Sequence, residues 1–333
     1  MGRDPAPRRY GKTSLVRAVL AAGEREGHPT VYVNFYGILS VEDAIARLEL
    51  GYRGLKGRLA GWVEGVLRTL QPTVRAPTIQ VSPQLDTDAG RRLLTLLDLP
   101  RRAAERAETK VIVAFDEFQA VLGAKPPLDG ALRSVIEQHG TQVGYLFSGS
   151  HPGMMRGLFA DRERPFYGQA RSVSLAPLAD EDLAPFIAER FEATNRGAGA
   201  ALGPLLDLVR GHPQRAMLAA HLLWERAPEG GAADEQTFGL LLGDLEDELG
   251  EALAGLWQGL SDSDRRALVA VASAPGSPTG QQALGQVGRA RETARDAIDR
   301  LVDAGHVAEL GGRLAVTDPL LERWLAGGRI GLG

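Results

Sequence analysis

The segment Ala6-Pro-Arg-Arg-Tyr-Gly11-Lys12-Thr13-Ser14 constrains this chain more than any other. It matches the phosphate-binding pattern G-x-x-x-x-G-K-[ST] at every position except the first, where Ala6 stands for glycine. Such a loop works by presenting successive backbone N–H groups and a helix N-terminus to phosphates. Its lysine reaches the β and γ oxygens, and its hydroxyl ligates Mg²⁺. The expected binding residues are therefore Pro7, Arg8, Arg9, Tyr10, Gly11, Lys12, Thr13 and Ser14, with Thr13 also on the metal. Ala6 restricts the loop entrance, although Pro7 already imposes extended geometry on the residue before it.

A loop of this kind needs a buried acidic strand end opposite it. Val111-Ile-Val-Ala-Phe-Asp116-Glu117 supplies one: an unbroken apolar run, as in a strand buried on both faces, ending in two carboxylates. Asp116 is expected at the magnesium and Glu117 at an attacking water, because phosphoryl transfer depends on positioning and charge stabilisation. A second apolar run, Val143 to Phe147, leads into Ser148, either a sensor of the γ-phosphate or an ordinary strand-end residue. A strand is also expected over Thr30 to Ile38. Helices are expected from Lys12 to about Ala22, from Ser40 with interruptions to Leu70, and from Asp88 to Ala107. Helices alternating with buried strands predict an α/β fold with a parallel sheet.

Beyond Leu178 the strand patterns stop, and helical periodicity runs over Phe186 to Phe191, Leu202 to Val209 and Gln214 to Glu225. Ala227 to Asp234 reads as a linker, followed by a helix over Phe238 to Trp257. Helices at 264–272, 281–287 and 291–304 and a hairpin at 306–316 read as a winged helix. The expected division is 1–176 for the ATPase core, 177–256 for a helical lid and 257–333 for the winged helix. In a winged helix the third helix usually enters the major groove. Here it carries Arg289, Arg291, Arg295 and Arg300 among Glu292, Asp296 and Asp299, a mixed rather than basic face. Arg300 is expected to pair with Asp296 at helical spacing.

Composition narrows the chemistry. The 333 residues contain no cysteine, which removes thiolate metal sites and cysteine nucleophiles, and six histidines show no paired ligand spacing. A net charge of −4 gives no global attraction to nucleic acid. No run of eighteen apolar residues or export signal is present, so the expectation is a cytoplasmic protein without a membrane partner.

Together these residues resemble the archaeal-type ATPases, a branch of the AAA-like class near the signal-transduction and origin-recognition ATPases. The resemblance rests on PRRYGKTSL, VIVAFDEFQ, YLFSGS, RPFYGQA, GHPQRAM and DPLLERWL, and covers nearly the whole chain. It implies ATP and Mg²⁺ as cofactors and hydrolysis as the activity. It also implies a lid whose Gly211-His-Pro213 turn lies against the nucleotide, and Arg215 near the second sensor position or, alternatively, on the surface. Arg162 or Arg164 is a candidate arginine finger for a neighbouring subunit, should the protein oligomerise. No N-K-x-D motif occurs, which favours ATP over GTP. The class normally places a helix and a buried strand before the loop. Only MGRDP precedes Ala6, so the chain as written is expected to lack that strand and to bind nucleotide weakly. The winged helix is expected to meet a partner, either DNA or a protein. The rival readings are a nucleotide-switched DNA-binding regulator and a non-catalytic scaffold.

Overall fold

In the computed structural model the described residues are 10–70, 88–273, 291–310 and 313–327. Two compact bodies emerge, one formed by Lys12–Ser172 and the other by Met1–Gly11 with Val173–Gly333.

The first body is an α/β layer structure. Helix α1 (Lys12–Arg25) leads to β1 (Thr30–Asn34), followed by α2 (Val41–Tyr52), α3 (Arg58–Thr69) and α4 (Asp88–Ala107). Then come β2 (Val111–Asp116), α5 (Asp129–Ile136), β3 (Val143–Phe147) and α6 (Pro152–Ala160). The strands form one parallel sheet in the order β1-β2-β3, with Asn34 level with Asp116 and Phe115 level with Phe147. Side-chain alternation divides the sheet cleanly. Val31, Val33, Val111, Val113 and Phe115 point into the main core with α2 and α4, whereas Ala114 packs on the other face with Val16 and Leu20 of α1. Burying an aliphatic side chain in this way stabilises by about 1.5–3 kcal/mol, so the β-rich runs that looked doubly buried in sequence supply much of the core. Ser40 opens α2 with a reciprocal capping box: it accepts from the Asp43 amide, and Asp43 accepts from the Ser40 amide.

Two expectations change here. The first strand stops at Asn34 rather than Ile38, because the chain turns over 35–38, where the Ile38 amide donates to the Phe35 carbonyl at 3.2 Å and Gly37 takes φ +74°. β3 is not buried on both faces: Gly144 is exposed, and Tyr145, Leu146 and Phe147 are half-buried. The reason is positional, since among the described residues β3 pairs only with β2, and α1 packs on β1 and β2.

The second body is helical. Helices α7 (Asp180–Glu192), α8 (Leu202–Val209), α9 (Pro213–Arg226) and α10 (Glu235–Gly259) precede α11 (Asp262–Ser273) and α12 (Arg291–Asp303). Strands β4 (Val307–Leu310) and β5 (Arg313–Val316) form an antiparallel pair, and α13 (Pro319–Ala326) closes the fold. The long α10 serves two cores, giving Leu241 and Leu245 to one and Leu253 to the next. The stretch 227–234, expected as a linker, is instead tied down: Gly197 donates to the Gly231 carbonyl, and Ala233 donates back to Gly197, each at 2.8 Å. The helix expected at 281–287 lies outside the described residues. Among the described residues no helix is long and apolar enough to cross a membrane.

Candidate functional site

Gly11 adopts φ +78°, in the left-handed region where glycine alone is comfortable, and Lys12 begins α1 directly after it. This turn leaves the first amides of a fourteen-residue helix without intrahelical acceptors, and no acidic side chain occupies its first turn. Its N-terminus is therefore suited to an anion. Lys12 and Thr13 are half-buried and Ser14 is exposed. Pro7, Arg8 and Arg9 lie outside the described residues.

Opposite this turn, the end of β2 arrives as expected. Thr13 Oγ1 donates to Asp116 Oδ2 at 3.0 Å across 103 positions of sequence. Tyr32, from the same face of β1, donates to the same oxygen at 2.7 Å. Burial first, and then the Asp116 carboxylate, push the Tyr32 phenol up to about 12, so it remains a neutral donor at ordinary pH. Asp116 is only 3% exposed, and its Oδ1 accepts from the Glu117 amide at 3.1 Å. A buried carboxylate beside a threonine hydroxyl is a hard oxygen donor pair of the kind Mg²⁺ prefers, since that ion keeps several waters and needs few protein ligands. Among the described residues no group of three or more acidic, His or Cys side chains is placed to hold a metal ion.

Glu117 sits at φ 52°, left-handed although it is not glycine. Such a conformation costs on the order of 1–3 kcal/mol and persists only where its surroundings fix it. Here the flanking rings of Phe115 and Phe118 stack at 5.9 Å and 12°. The Glu117 carboxylate accepts from Ser150 Oγ at 2.7 Å and from Gln119 Nε2 at 2.5 Å, both on Oε2.

Ser148 ties β3 to this turn through its backbone. Its amide donates to the Phe115 carbonyl at 2.8 Å, and its carbonyl accepts from the Phe118 amide at 2.9 Å. Its hydroxyl is buried and has no hydrogen-bond partner. An unpartnered buried hydroxyl costs about 1–3 kcal/mol unless something satisfies it.

Most of the remaining sequence candidates belong to the helical body, Arg162 and Arg164 being in the α/β body. Tyr10 is buried, with its ring edge-on to His212 at 4.8 Å and its hydroxyl donating to the Thr317 carbonyl at 3.3 Å. Burial, and then Asp318, raise that phenol to about 12. His212 caps α9 by accepting from the Arg215 amide. Arg215 is 2% exposed and forms a two-pronged ion pair with Asp318, both Nε contacts measuring 3.0 Å. It is therefore neither a solvated cation nor an unpaired one. Arg300 also departs from expectation: it pairs with Asp264 of α11 at 2.7 Å rather than with Asp296, because α11 packs along α12. Arg164 lies 3.5 Å from the buried Asp129, and Arg162 is exposed.

Sequence reasoning missed Tyr32, Gln119, Ser150, His151 and Asp318. Tyr32 alone had a readable signal, since strand alternation places it on the α1 face together with Ala114.

No model of a known protein family matches the chain, and no curated protein matches it. Solved structures do. The Walker-type ATPase of Pyrococcus abyssi superposes with a TM-score of 0.62 at 18% identity, covering 96% of this chain and 89% of that one. The ORC2 protein of Aeropyrum pernix, solved as ADPNP–ADP complexes, gives 0.55 at 15% identity, covering 98% and 87%. Its ADP form gives 0.52 at 16% identity, covering 98% and 86%. At these identities the likeness is one of fold, and by that measure the chain has the fold of archaeal P-loop ATPases related to the origin-recognition proteins.

Proposed function

We propose that this protein is an AAA-like ATPase that binds ATP with Mg²⁺ and hydrolyses it, biasing its helical body as a switch. The observation that carries this reading is the 3.0 Å hydrogen bond between Thr13 and Asp116, which joins the loop to the acidic strand end beside Glu117. Lys12 and the first amides of α1 hold the β and γ phosphates, Thr13 and Asp116 hold the metal, and Ser148 offers its spare hydroxyl to the γ-phosphate. Mg²⁺ held by Thr13 and Asp116 would supply charge neutralisation for the transferring phosphoryl group. Glu117 Oε1, which accepts no hydrogen bond among the described residues, takes a proton from the attacking water as general base.

The three-part division at 1–176, 177–256 and 257–333 belongs to this proposal, with the last part a winged helix that meets a partner. The antiparallel β4–β5 pair and the packing of α11 on α12 support that part. The buried Arg215–Asp318 pair joins α9 to the start of α13, so the candidate second-sensor arginine lies in the helical body.

A titration with a fluorescent ATP analogue in Mg²⁺, with phosphate release measured alongside, tests the proposal. Saturable binding abolished by Lys12→Ala, and turnover abolished by Glu117→Gln with binding retained, are expected. Turnover by either variant at the parental rate overturns it.

A further inference from the structure

The Glu117 carboxylate is held by two side chains for which no role has been assigned, with His151 behind them. Ser150 and Gln119 both donate to Oε2, at 2.7 and 2.5 Å. The Gln119 amide nitrogen has two protons, and His151 Nδ1 lies 3.2 Å from it. Ser150 Oγ also lies 3.1 Å from His151 Nδ1 and 3.4 Å from Gln119 Nε2, so the three side chains form one hydrogen-bonded cluster behind Oε2. Gln119 is 4% exposed, and its Oε1 is buried without a partner. Gly149 packs close by: a Cβ there would lie 2.3 Å from Gln119 Oε1 and 2.5 Å from Met155 Sδ, so a larger residue would displace those side-chain ends. The segment after β3 thus brings Ser150 to the Glu117 carboxylate and His151 to Gln119.

We propose that Gln119, Ser150 and His151 are positioning residues for hydrolysis, fixing the rotation of the Glu117 carboxylate so that Oε1 faces the attacking water. This rests on the reading of Glu117 as general base. With Oε2 held by two donors, turning the carboxylate breaks both hydrogen bonds. Misplacing a reacting group by about 1 Å costs on the order of a hundredfold in rate. A merely structural strap between β2 and the loop after β3 would instead show itself in folding and nucleotide affinity together.

The test compares Ser150→Ala, Gln119→Met and Ser150→Thr with the parent. Phosphate release gives kcat, and the fluorescent ATP analogue gives affinity. Ser150→Ala and Gln119→Met are expected to lower kcat by at least about tenfold while affinity stays within about twofold. Ser150→Thr restores most of the rate. A parental kcat in Ser150→Ala and Gln119→Met, or a loss of affinity matching the loss of rate, overturns the positioning role. A parent that binds the analogue but does not turn over overturns it and leaves nucleotide binding standing. A parent that does neither overturns the proposed function as well.

Discussion

Replacing Asp318 with asparagine isolates the buried ion pair of the helical body. Arg215 is 2% exposed, and the described geometry gives its guanidinium one carboxylate, engaged through both Nε and Nη2. Asp318 also caps α13 by accepting from the Leu320 and Leu321 amides. Asparagine caps as well as aspartate, so the cap survives while the charge is lost. Removing one partner of a buried pair costs about 3–5 kcal/mol, because the other charge is left uncompensated. Asparagine retains an acceptor for Nε, which places the expected loss near the lower bound, at about 3 kcal/mol. For a body of this size that corresponds to a fall in Tm of about 6–12 °C. Three of the four tryptophans, Trp224, Trp257 and Trp324, lie in this body, so fluorescence-detected urea unfolding follows it directly. Replacing both partners, as Arg215→Met with Asp318→Asn, should recover much of the loss. The parent has a matching acid dependence. Burial alone would raise the Asp318 pKa, but the Arg215 hydrogen bonds and charge, with His212 and the Leu320 amide, pull it below the ordinary value. A depressed folded-state pKa means that the contribution is complete above about pH 4 and is lost as pH falls through the lower folded value. A loss under about 1 kcal/mol for Asp318→Asn, or an acid limb unchanged by it, refutes the reasoning.

Gly11→Ala adds a Cβ that meets nothing within 4 Å, so its cost is backbone strain alone, about 1–2 kcal/mol at φ +78°. It is expected to weaken the fluorescent ATP analogue by roughly tenfold, and affinity equal to the parent's would count against the turn geometry. Alkaline titration followed by tyrosinate absorbance should show Tyr10 and Tyr32 ionising near pH 12. Because both folded-state values are raised, stability present below pH 10 is lost between about 10 and 12, which unfolding curves across that window check. Arg300→Ala should leave any duplex DNA affinity and its salt slope unchanged, since that guanidinium is engaged by Asp264. A slope reduced by about one would show that Arg300 meets a phosphate instead.

Local signals were the most readable part of the sequence. The run 111–116 reads as a strand from its apolar residues, α4 begins and ends where its periodicity does, and Ser40 announces a helix start by its own capping chemistry. Thr13, Asp116 and Glu117 were legible because a loop and a strand end carry fixed chemical roles. What escaped is set by distance. Nothing local to Arg215 reveals a carboxylate 103 residues away, and nothing in Arg300 favours Asp264 over the nearer Asp296. Tyr10 reads as a loop residue until the buried space beside His212 and Thr317 is known. The half-exposed β3 shows the limit of an apolar run as a signal: it reports suitability for burial, while partners in the sheet decide how much burial occurs.

The phenylalanines beneath the carboxylates have a consequence for control. Phe35, Phe115, Phe118, Phe147, Phe159 and Phe166, six of the chain's nine, interlock around the turn carrying Asp116 and Glu117, with centroid spacings of 4.6 to 6.4 Å. Rings packed so closely cannot shift singly without opening a void. The acidic pair therefore behaves as a fixed anvil, so rate control falls to what is brought against it. Effectors should alter access and approach to these carboxylates while leaving their own placement unchanged.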